Sequence, residues 1–358
     1  MTQHTTLITG GAGFIGSNLA HRLMASGRKV RVLDNLSRPG VEQNLQWLRQ
    51  QHGQLLDFVR ADVRDATAVQ QAVAGVQQVF HFAAQVAVTT SLDNPQEDFA
   101  INALGTLNVL EAARTRPVPP AVVMTSTNKV YGGLEDLSLS VQGQRYLPVD
   151  AQTTACGIGE SRPLDFHSPY GCSKGTADQY MVDYARSFGM TTLVFRMSCI
   201  YGPRQFGTED QGWVAHFILR ALRGERITLY GDGMQVRDVL FVDDLVDAFL
   251  LAEQNAHRLK GRAFNMGGGP ANAISLQDLL DRIEELHGER PSVSFDHWRT
   301  GDQRYYVSDT QAFQRETGWK PQVGAQEGIG RLFEWLAARQ EKRNGAAATG
   351  LRLVAGAA

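Results

Sequence analysis

Tyr170 and Lys174 stand four residues apart in "SPYGCSK" (168–174). On a helix that spacing puts both side chains on one face, about one turn apart. A lysine ammonium there favours the ionised form of the phenol, so Tyr170 reads as a general base working near neutral pH. Thr127, in "STNKVYG" (126–132), offers a second hydroxyl at the end of an expected strand, suited to hydrogen-bond a substrate oxygen. The residues that follow it, Asn128 and Lys129, bring an amide and a cation where an acidic pair could have stood. Thr127, Tyr170 and Lys174 are the catalytic candidates.

If that base takes the proton of a hydroxyl being oxidised, the hydride needs an acceptor, and the N-terminal stretch supplies a place for one. "TGGAGFIGSNLA" (9–20) carries Gly10, Gly13 and Gly16 between an expected strand and an expected helix, with Phe14 and Ile15 inside the loop. Glycines permit a tight turn and close approach of backbone to a pyrophosphate, and the helix N-terminus adds N–H donors and a favourable dipole. Asp34 ends the second strand, where it can bond both adenosine ribose hydroxyls and repel a 2′-phosphate. NAD is therefore expected over NADP. Asp62 and Val63 end the third strand, within reach of the adenine amino group. Phe82, Ala83 and Ala84 leave a small-residue strand end against the cofactor. Asn35, Thr125 and Met197 are also assigned to the cofactor, and Lys174 to its ribose hydroxyls. Asn102 is expected to orient either the Tyr170 region or the cofactor.

The elements that must position these residues follow from hydrophobic periodicity. "TTLIT" (5–9), "KVRVLD" (29–34), "LDFVRAD" (56–62), "QVFHFAA" (78–84) and "AVVMTST" (121–127) read as strands, separated by stretches of helical spacing. Strand–helix–strand alternation implies an α/β fold: a Rossmann-type doubly wound parallel sheet, with its ligand beyond the carboxyl ends of the strands. Beyond Gly202 the texture changes to a smaller C-terminal α/β substrate-binding lobe. The expected division is 1–202 for the NAD-binding domain with the catalytic residues and 203–340 for the substrate lobe, with some interchange of chain. Residues 341–358 are expected to form a flexible tail. Ser275, three residues before Asp278, reads as a helix cap. Residues 133–167 read as a long irregular insertion, of the sort that lines or covers a site.

Composition sets the outer limits. The chain has 358 residues, 43% hydrophobic and 20% charged, with a formal charge of −2. That balance gives no electrostatic case for a nucleic-acid or membrane partner, and no run of about 18 apolar residues suggests a span. Met1-Thr2-Gln3-His4 leads almost directly into the first strand, so no signal peptide is expected. Cys156, Cys172 and Cys199 are few, odd in number and unpatterned, which favours a reducing cytoplasm over disulfides. The histidines show no metal-ligand spacing.

Taken together, the glycine loop, Asp34, Thr127 and the Tyr170/Lys174 pair resemble the extended short-chain dehydrogenase/reductase family of nucleotide-sugar epimerases and dehydratases, over roughly Thr5 to Arg339. The phrases "QVAVTTSLDNP", "LDFHSPYGCSKGTADQY", "GPRQFGTEDQGW", "GDGMQVRDVLFVDD" and "DQRYYVSD" lie largely outside the shared cofactor core. They resemble members that invert C2 of a CDP-hexose. Family dehydratases carry Asp-Glu directly after the catalytic Thr, because eliminating water needs an acid and a base. Asn128-Lys129 lacks that pair, so hydride chemistry without elimination is expected, on a tightly bound NAD regenerated each turnover.

The resemblance also implies substrate contacts. Arg237 and Arg304 fall where the family clamps the substrate diphosphate, with Arg204 a third candidate; arginine suits the task by planar multidentate donation. Thr228 and Tyr230 fall beside the nucleotide base. Gln85, Thr89, Thr90, Gln211 and Trp213 are expected to line the sugar pocket, with Thr127 and Asn128 also at the substrate. Lys129 either contacts the substrate or is a solvated loop charge. Cys199 stands where relatives commonly have Asn. Helices 102–114 and 173–186 correspond to the family's four-helix homodimer interface. A UDP-sugar 4-epimerase, a dehydrogenase or reductase that releases NADH, and a non-catalytic nucleotide sensor remain alternatives.

Overall fold

The computed structural model describes residues 4–299 and 301–355. Seven parallel strands form the main sheet, in the order Arg262–Met266, Thr192–Met197, Ala121–Thr127, Gln78–His81, Thr5–Thr9, Lys29–Asp34, Leu56–Arg60. Helices cover both faces, so the inner strands have no solvent side. Every residue of Gln78–His81 is buried, as expected where a parallel sheet is sandwiched. Ile8 pairs in register with Val32 on one side and Phe80 on the other. The chain leaves Thr5–Thr9 toward Lys29–Asp34 and later returns to the opposite side with Gln78–His81. The order therefore reverses at Thr5–Thr9, and a crevice opens at the carboxyl ends of those strands.

The helix Phe14–Ala25 follows the glycine turn directly. It is fastened to the helix Val242–Gln254 by the Arg22–Asp247 ion pair, and Arg28, in the turn beyond its end, pairs with Glu253 of the same partner helix. Beneath lie Phe80, Phe195, Phe249, Phe264 and Phe313, a continuous aromatic core. Phe195 stacks on Phe249 at 5.4 Å between ring centroids and meets Phe313 edge-on at 5.1 Å.

The smaller lobe is built on Val236–Phe241. This strand pairs with Cys199–Tyr201 and Tyr305–Tyr306 in parallel and with Ala273–Ser275 antiparallel. A second, two-stranded parallel sheet joins Ile227–Tyr230 to Val293–Asp296. Ser275 and Asp278 form a reciprocal capping box on the helix Leu276–His287. The lobes exchange chain in both directions: Arg262–Met266 completes the large sheet, while Cys199–Tyr201 belongs to the small one. The last helix runs Ala325–Ala355, through most of the stretch read as a tail; residues 356–358 lie outside the described residues.

One expectation is corrected. The insertion at 133–167 is not irregular: it contains an antiparallel hairpin, Leu139–Gln142 with Arg145–Pro148, and a helix, Ala151–Cys156. Gly143, at φ +59°, supplies the left-handed residue of the tight turn. The hairpin docks on the substrate lobe through Tyr146 N to Met234 O (3.0 Å) and the Arg145–Asp278 ion pair.

Candidate active site

A cavity of roughly 840 Å³ lies at the carboxyl ends of the main strands and extends under the smaller lobe. The glycine turn forms its floor. A Cβ on Gly10 would lie 2.7 Å from Ala83 N, and one on Gly16 would lie 2.4 Å from Gly10 O, so both sites exclude a side chain. A Cβ on Gly13 would meet only Gly10 O, at 3.1 Å, and otherwise project into open space. The helix behind it begins with no side-chain cap and no acidic residue in its first turn. Its first N–H groups and dipole suit the pyrophosphate of a dinucleotide.

Phe14, Ile15, Asp34, Asn35, Asp62, Val63, Phe82, Ala83, Ala84, Thr125, Lys174 and Met197 line the same cavity. Asp34 accepts from Ala12 N (3.0 Å) and Leu36 N (2.9 Å). Burial pushes its carboxyl up, against those two donors and the charge of Arg38. Asp62 is held at about pKa 2 chiefly by its hydrogen bond to Arg64. It also accepts from Asn35 Nδ2 at 2.8 Å, so its carboxylate is already engaged. Asn102 does not line the cavity. It sits in a π turn, Ala100–Leu104, donating to Ser173 Oγ (3.0 Å) and Asp98 Oδ1 (3.1 Å) and accepting from Gln85 N (2.9 Å). Gln85 also lies outside the lining, its side chain turned back on Ala87, and Asn102 alone reaches the Tyr170 helix, through Ser173.

That helix, Ser168–Phe188, carries Tyr170 and Lys174 to the end of the strand Ala121–Thr127. Lys174 Nζ donates to Thr125 O at 2.6 Å. Tyr170 and Thr127 line the cavity together, near enough that the Thr127 hydroxyl favours the ionised phenol. Burial raises the Tyr170 phenol to about 12 and lowers the Lys174 ammonium to about 8. From the chain alone Tyr170 is therefore a neutral phenol at pH 7. A bound nicotinamide cation would add positive charge to this cavity, in the direction a general base requires.

Thr127 Oγ1 accepts from Lys129 N at 3.2 Å and donates to Asn128 Oδ1 at 3.3 Å. The Lys129 side chain turns into the cavity wall, donating to Gly301 O at 2.9 Å with Asp302 Oδ1 at 3.7 Å. Burial lowers its pKa, against the charge of Asp302. Arg237 is buried and donates to Asp302 Oδ1 at 2.6 Å. Burial works against the Asp302 carboxylate, but Arg237 and Lys129 together hold it below the usual range. Cys199 accepts from Trp213 Nε1 at 3.3 Å, and burial pushes its thiol up.

Thr89, Asn128, Gln211, Thr228 and Tyr230 also face the cavity. Arg299 stacks 3.7 Å from the centre of the Tyr230 ring, and Gln211 accepts from Arg38. Arg204 reaches the lining but stacks on Trp47 at 3.6 Å, with its backbone at φ +75°. Arg304 stands outside the lining, exposed, 5.5 Å from the ring centres of both Tyr146 and Trp298. The structure thus brings Arg237 to the cavity and leaves Arg304 off its lining, beside Trp298. Five residues at or behind the cavity wall were missed from sequence: Arg38, Trp298, Arg299, Asp302 and Gln303. None stands at a telling spacing from the catalytic set.

The model of the NAD dependent epimerase/dehydratase family matches residues 6–267. CDP-paratose 2-epimerase from Salmonella typhi is 43% identical over 336 residues, covering 92% of this chain and 98% of that protein. Among solved structures, Thermotoga maritima UDP-glucose 4-epimerase with UDP-glucose superposes with a TM-score of 0.80 at 30% identity, over 94% of this chain and 99% of that one. Thermus thermophilus UDP-glucose 4-epimerase in complex with NAD gives 0.77 at 33% identity, over 93% and 98%.

Proposed function

Because the chain belongs to the NAD dependent epimerase/dehydratase family, we propose that it inverts C2 of a CDP-hexose, of the CDP-paratose to CDP-tyvelose kind, through a transient 2-keto sugar. NAD is its cofactor; when bound, it accepts the sugar's hydride and returns it, with no net redox change. An unactivated carbon bearing H and OH has no acidic proton, so inversion requires a temporary ketone. Tyr170 takes the hydroxyl proton and gives it back, Thr127 hydrogen-bonds the same oxygen, and Lys174 holds the nicotinamide ribose and lends its charge. Arg237 grips the diphosphate while the ketone turns to present its other face.

The observation that carries this reading is that Thr127 and Tyr170 share the cavity with the amide of Asn128 and the half-buried ammonium of Lys129, neither of which supplies an elimination carboxylate. The Salmonella relative supports C2 and CDP. The test is a panel of CDP-, UDP- and GDP-hexoses turned over in D₂O, with products resolved by NMR. Inversion at C2 of a CDP-sugar without deuterium at that carbon is expected. Deuterium at C2 contradicts the hydride route, and inversion at C4 alone reassigns the substrate while sparing Tyr170.

The same reading extends to assembly and compartment. Among the described residues no helix is long and apolar enough to cross a membrane. We place the enzyme in the cytoplasm, which suits its three free cysteines. We also pair two copies through the helices Gly105–Arg114 and Ser168–Phe188, supported by the exposed side chains of Phe99, Leu104, Tyr180 and Phe188 along that face. Light scattering is expected to give twice the chain mass, and Tyr180→Glu to halve it.

A further inference from the structure

Behind Thr127 runs a chain of amides with a fixed direction. Gln303 is fully buried, and its Nε2 donates to Gly132 O at 2.7 Å. A carbonyl oxygen can only accept, so this contact sets the orientation of the Gln303 amide. Gly132 itself is immobilised: its φ is +72°, and a Cβ there would lie 2.7 Å from Asp165 O. Gln303 Oε1 must then face Asn128, whose Nδ2 donates to it at 3.0 Å. That leaves Asn128 Oδ1 pointing at the Thr127 hydroxyl, 3.3 Å away, as an acceptor only. Lys129 N occupies one Thr127 lone pair, at 3.2 Å.

We propose that Asn128 and Gln303 are positioning residues that hold the Thr127 proton away from Tyr170, so that Thr127 receives a hydrogen bond from the neutral phenol instead of donating one to a tyrosinate. Ionising Tyr170 then requires the Thr127 proton to leave Asn128 and turn toward the phenolate. The arrangement keeps the base protonated until binding in the cavity supplies a reason to ionise it. Gln303 follows Asp302, the partner of Arg237 and Lys129, so the segment that faces the substrate cavity is the one that orients the relay. Tyr170 is also faced by Asp98 from the helix Pro95–Phe99, by Arg38 from the loop after Lys29–Asp34, and by Thr127. Lys174 lies one turn along its own helix. None of these charges changes when Asn128 or Gln303 is replaced by leucine.

The inference rests on Tyr170 being the base, and the experiment separates the two ideas. The absorbance of tyrosinate is followed as pH is raised in the NAD-loaded protein, and the same titration of Tyr170→Phe is subtracted. In Asn128→Leu and in Gln303→Leu, Thr127 is free to donate to the phenolate. The Tyr170 midpoint is therefore expected to fall by about one pH unit, the worth of one hydrogen bond, and the acid limb of kcat/KM to move with it. The double variant is expected to shift no further than either single one. In a Thr127→Val background Gln303→Leu is expected to shift nothing. An unmoved or raised midpoint, or a fall that persists without the Thr127 hydroxyl, overturns the relay while leaving the base assignment intact. If Tyr170→Phe removes no titrating absorbance, the base assignment is wrong and the relay goes with it.

Discussion

The ammonium of Lys174 donates to the main-chain carbonyl of Thr125 at 2.6 Å, two residues before Thr127 on the same strand. This contact ties the Tyr170 helix to the strand end that presents the second hydroxyl. The spacing of the two catalytic groups therefore depends on a lysine that is itself buried at some cost to its charge.

That cost has a measurable sign. Burial lowers the Lys174 ammonium to about 8, below its unfolded value of 10.5. Below about pH 8 both states are protonated and the folded protein bears the full penalty. Between about 8 and 10.5 the unfolded state holds more protons, so this residue's contribution to stability rises with pH. Denaturant unfolding of the NAD-free protein is expected to show the wild type gaining up to about 3 kcal/mol on Lys174→Met across that window. A constant difference between the two would contradict the depressed value. Lys174→Met is also expected to weaken NAD retention on gel filtration, since it removes the donor proposed for the nicotinamide ribose.

Tyr170→Phe keeps the ring and removes the proposed proton carrier. Turnover is expected to fall by about 10² to 10⁴, the usual worth of a positioned acid–base group, with NAD still bound. Thr127→Val removes one hydrogen bond to the reacting oxygen and is expected to cost less. Near-normal turnover in Tyr170→Phe would mean another group moves the proton.

The glycine turn separates folding from cofactor binding. In Gly16→Ala the new methyl would meet backbone atoms, Gly10 O at 2.4 Å and Gly11 Cα at 2.6 Å, which have nowhere to go. This variant is expected to lose stability by more than about 1 kcal/mol. In Gly13→Ala the methyl meets only Gly10 O at 3.1 Å and otherwise faces the cavity. It is expected to keep most of its thermal stability while NAD affinity, by titration calorimetry, falls at least about tenfold. Equal NAD affinity in Gly13→Ala and wild type would show that the pyrophosphate does not pass there.

Local spacing made much of this legible. Gly10, Gly13 and Gly16 are read within a single turn, and Tyr170 and Lys174 within one turn of helix; Asp34 needs only the end of a strand. The hairpin at 139–148 also carried a local signal, with Leu139 and Val141 alternating toward Gly143, but the turn was passed over as loop. Asp302 and Gln303 open the phrase "DQRYYVSD", but nothing in it marks either as a site residue. Gln303 meets Asn128 across 175 residues of sequence, and nothing at either position announces the other. Arg304 shows the converse: a motif position suggested the cavity, but in the structure Arg304 lies off the lining beside Trp298, while Arg237 and Asp302 are on it.

Asp34 should make the enzyme selective for NAD. Its carboxylate is braced by Ala12 N and Leu36 N at the end of its strand. A 2′-phosphate brought to the same ribose would face this anion at close range. Asp34→Ala is expected to weaken NAD binding and to raise NADP binding relative to NAD. Equal affinities for both in the wild type would remove Asp34 from the ribose.

The Asp302 carboxylate neutralises two cations, Arg237 at 2.6 Å and Lys129 at 3.7 Å. Burial opposes its ionisation, yet the pair of charges holds its pKa below the usual carboxylate range. Its contribution to stability is therefore present above its unfolded pKa and lost as pH falls through the lower folded value. Asp302→Asn keeps the shape and removes the charge. At neutral pH it is expected to be less stable than wild type, and the gap to close as the solution is acidified through the carboxylate range. The same substitution releases Arg237 and Lys129 from their internal partner. A diphosphate then meets two unpaired cations instead of displacing a carboxylate, so CDP affinity is expected to rise by several-fold at low salt and to fall back as salt is added. Arg237→Ala is expected to do the opposite, weakening CDP while leaving NAD binding unchanged. If Asp302→Asn binds CDP no more tightly and with no steeper salt dependence than wild type, the diphosphate does not reach Arg237 and Lys129, and the substrate must lie elsewhere in the cavity.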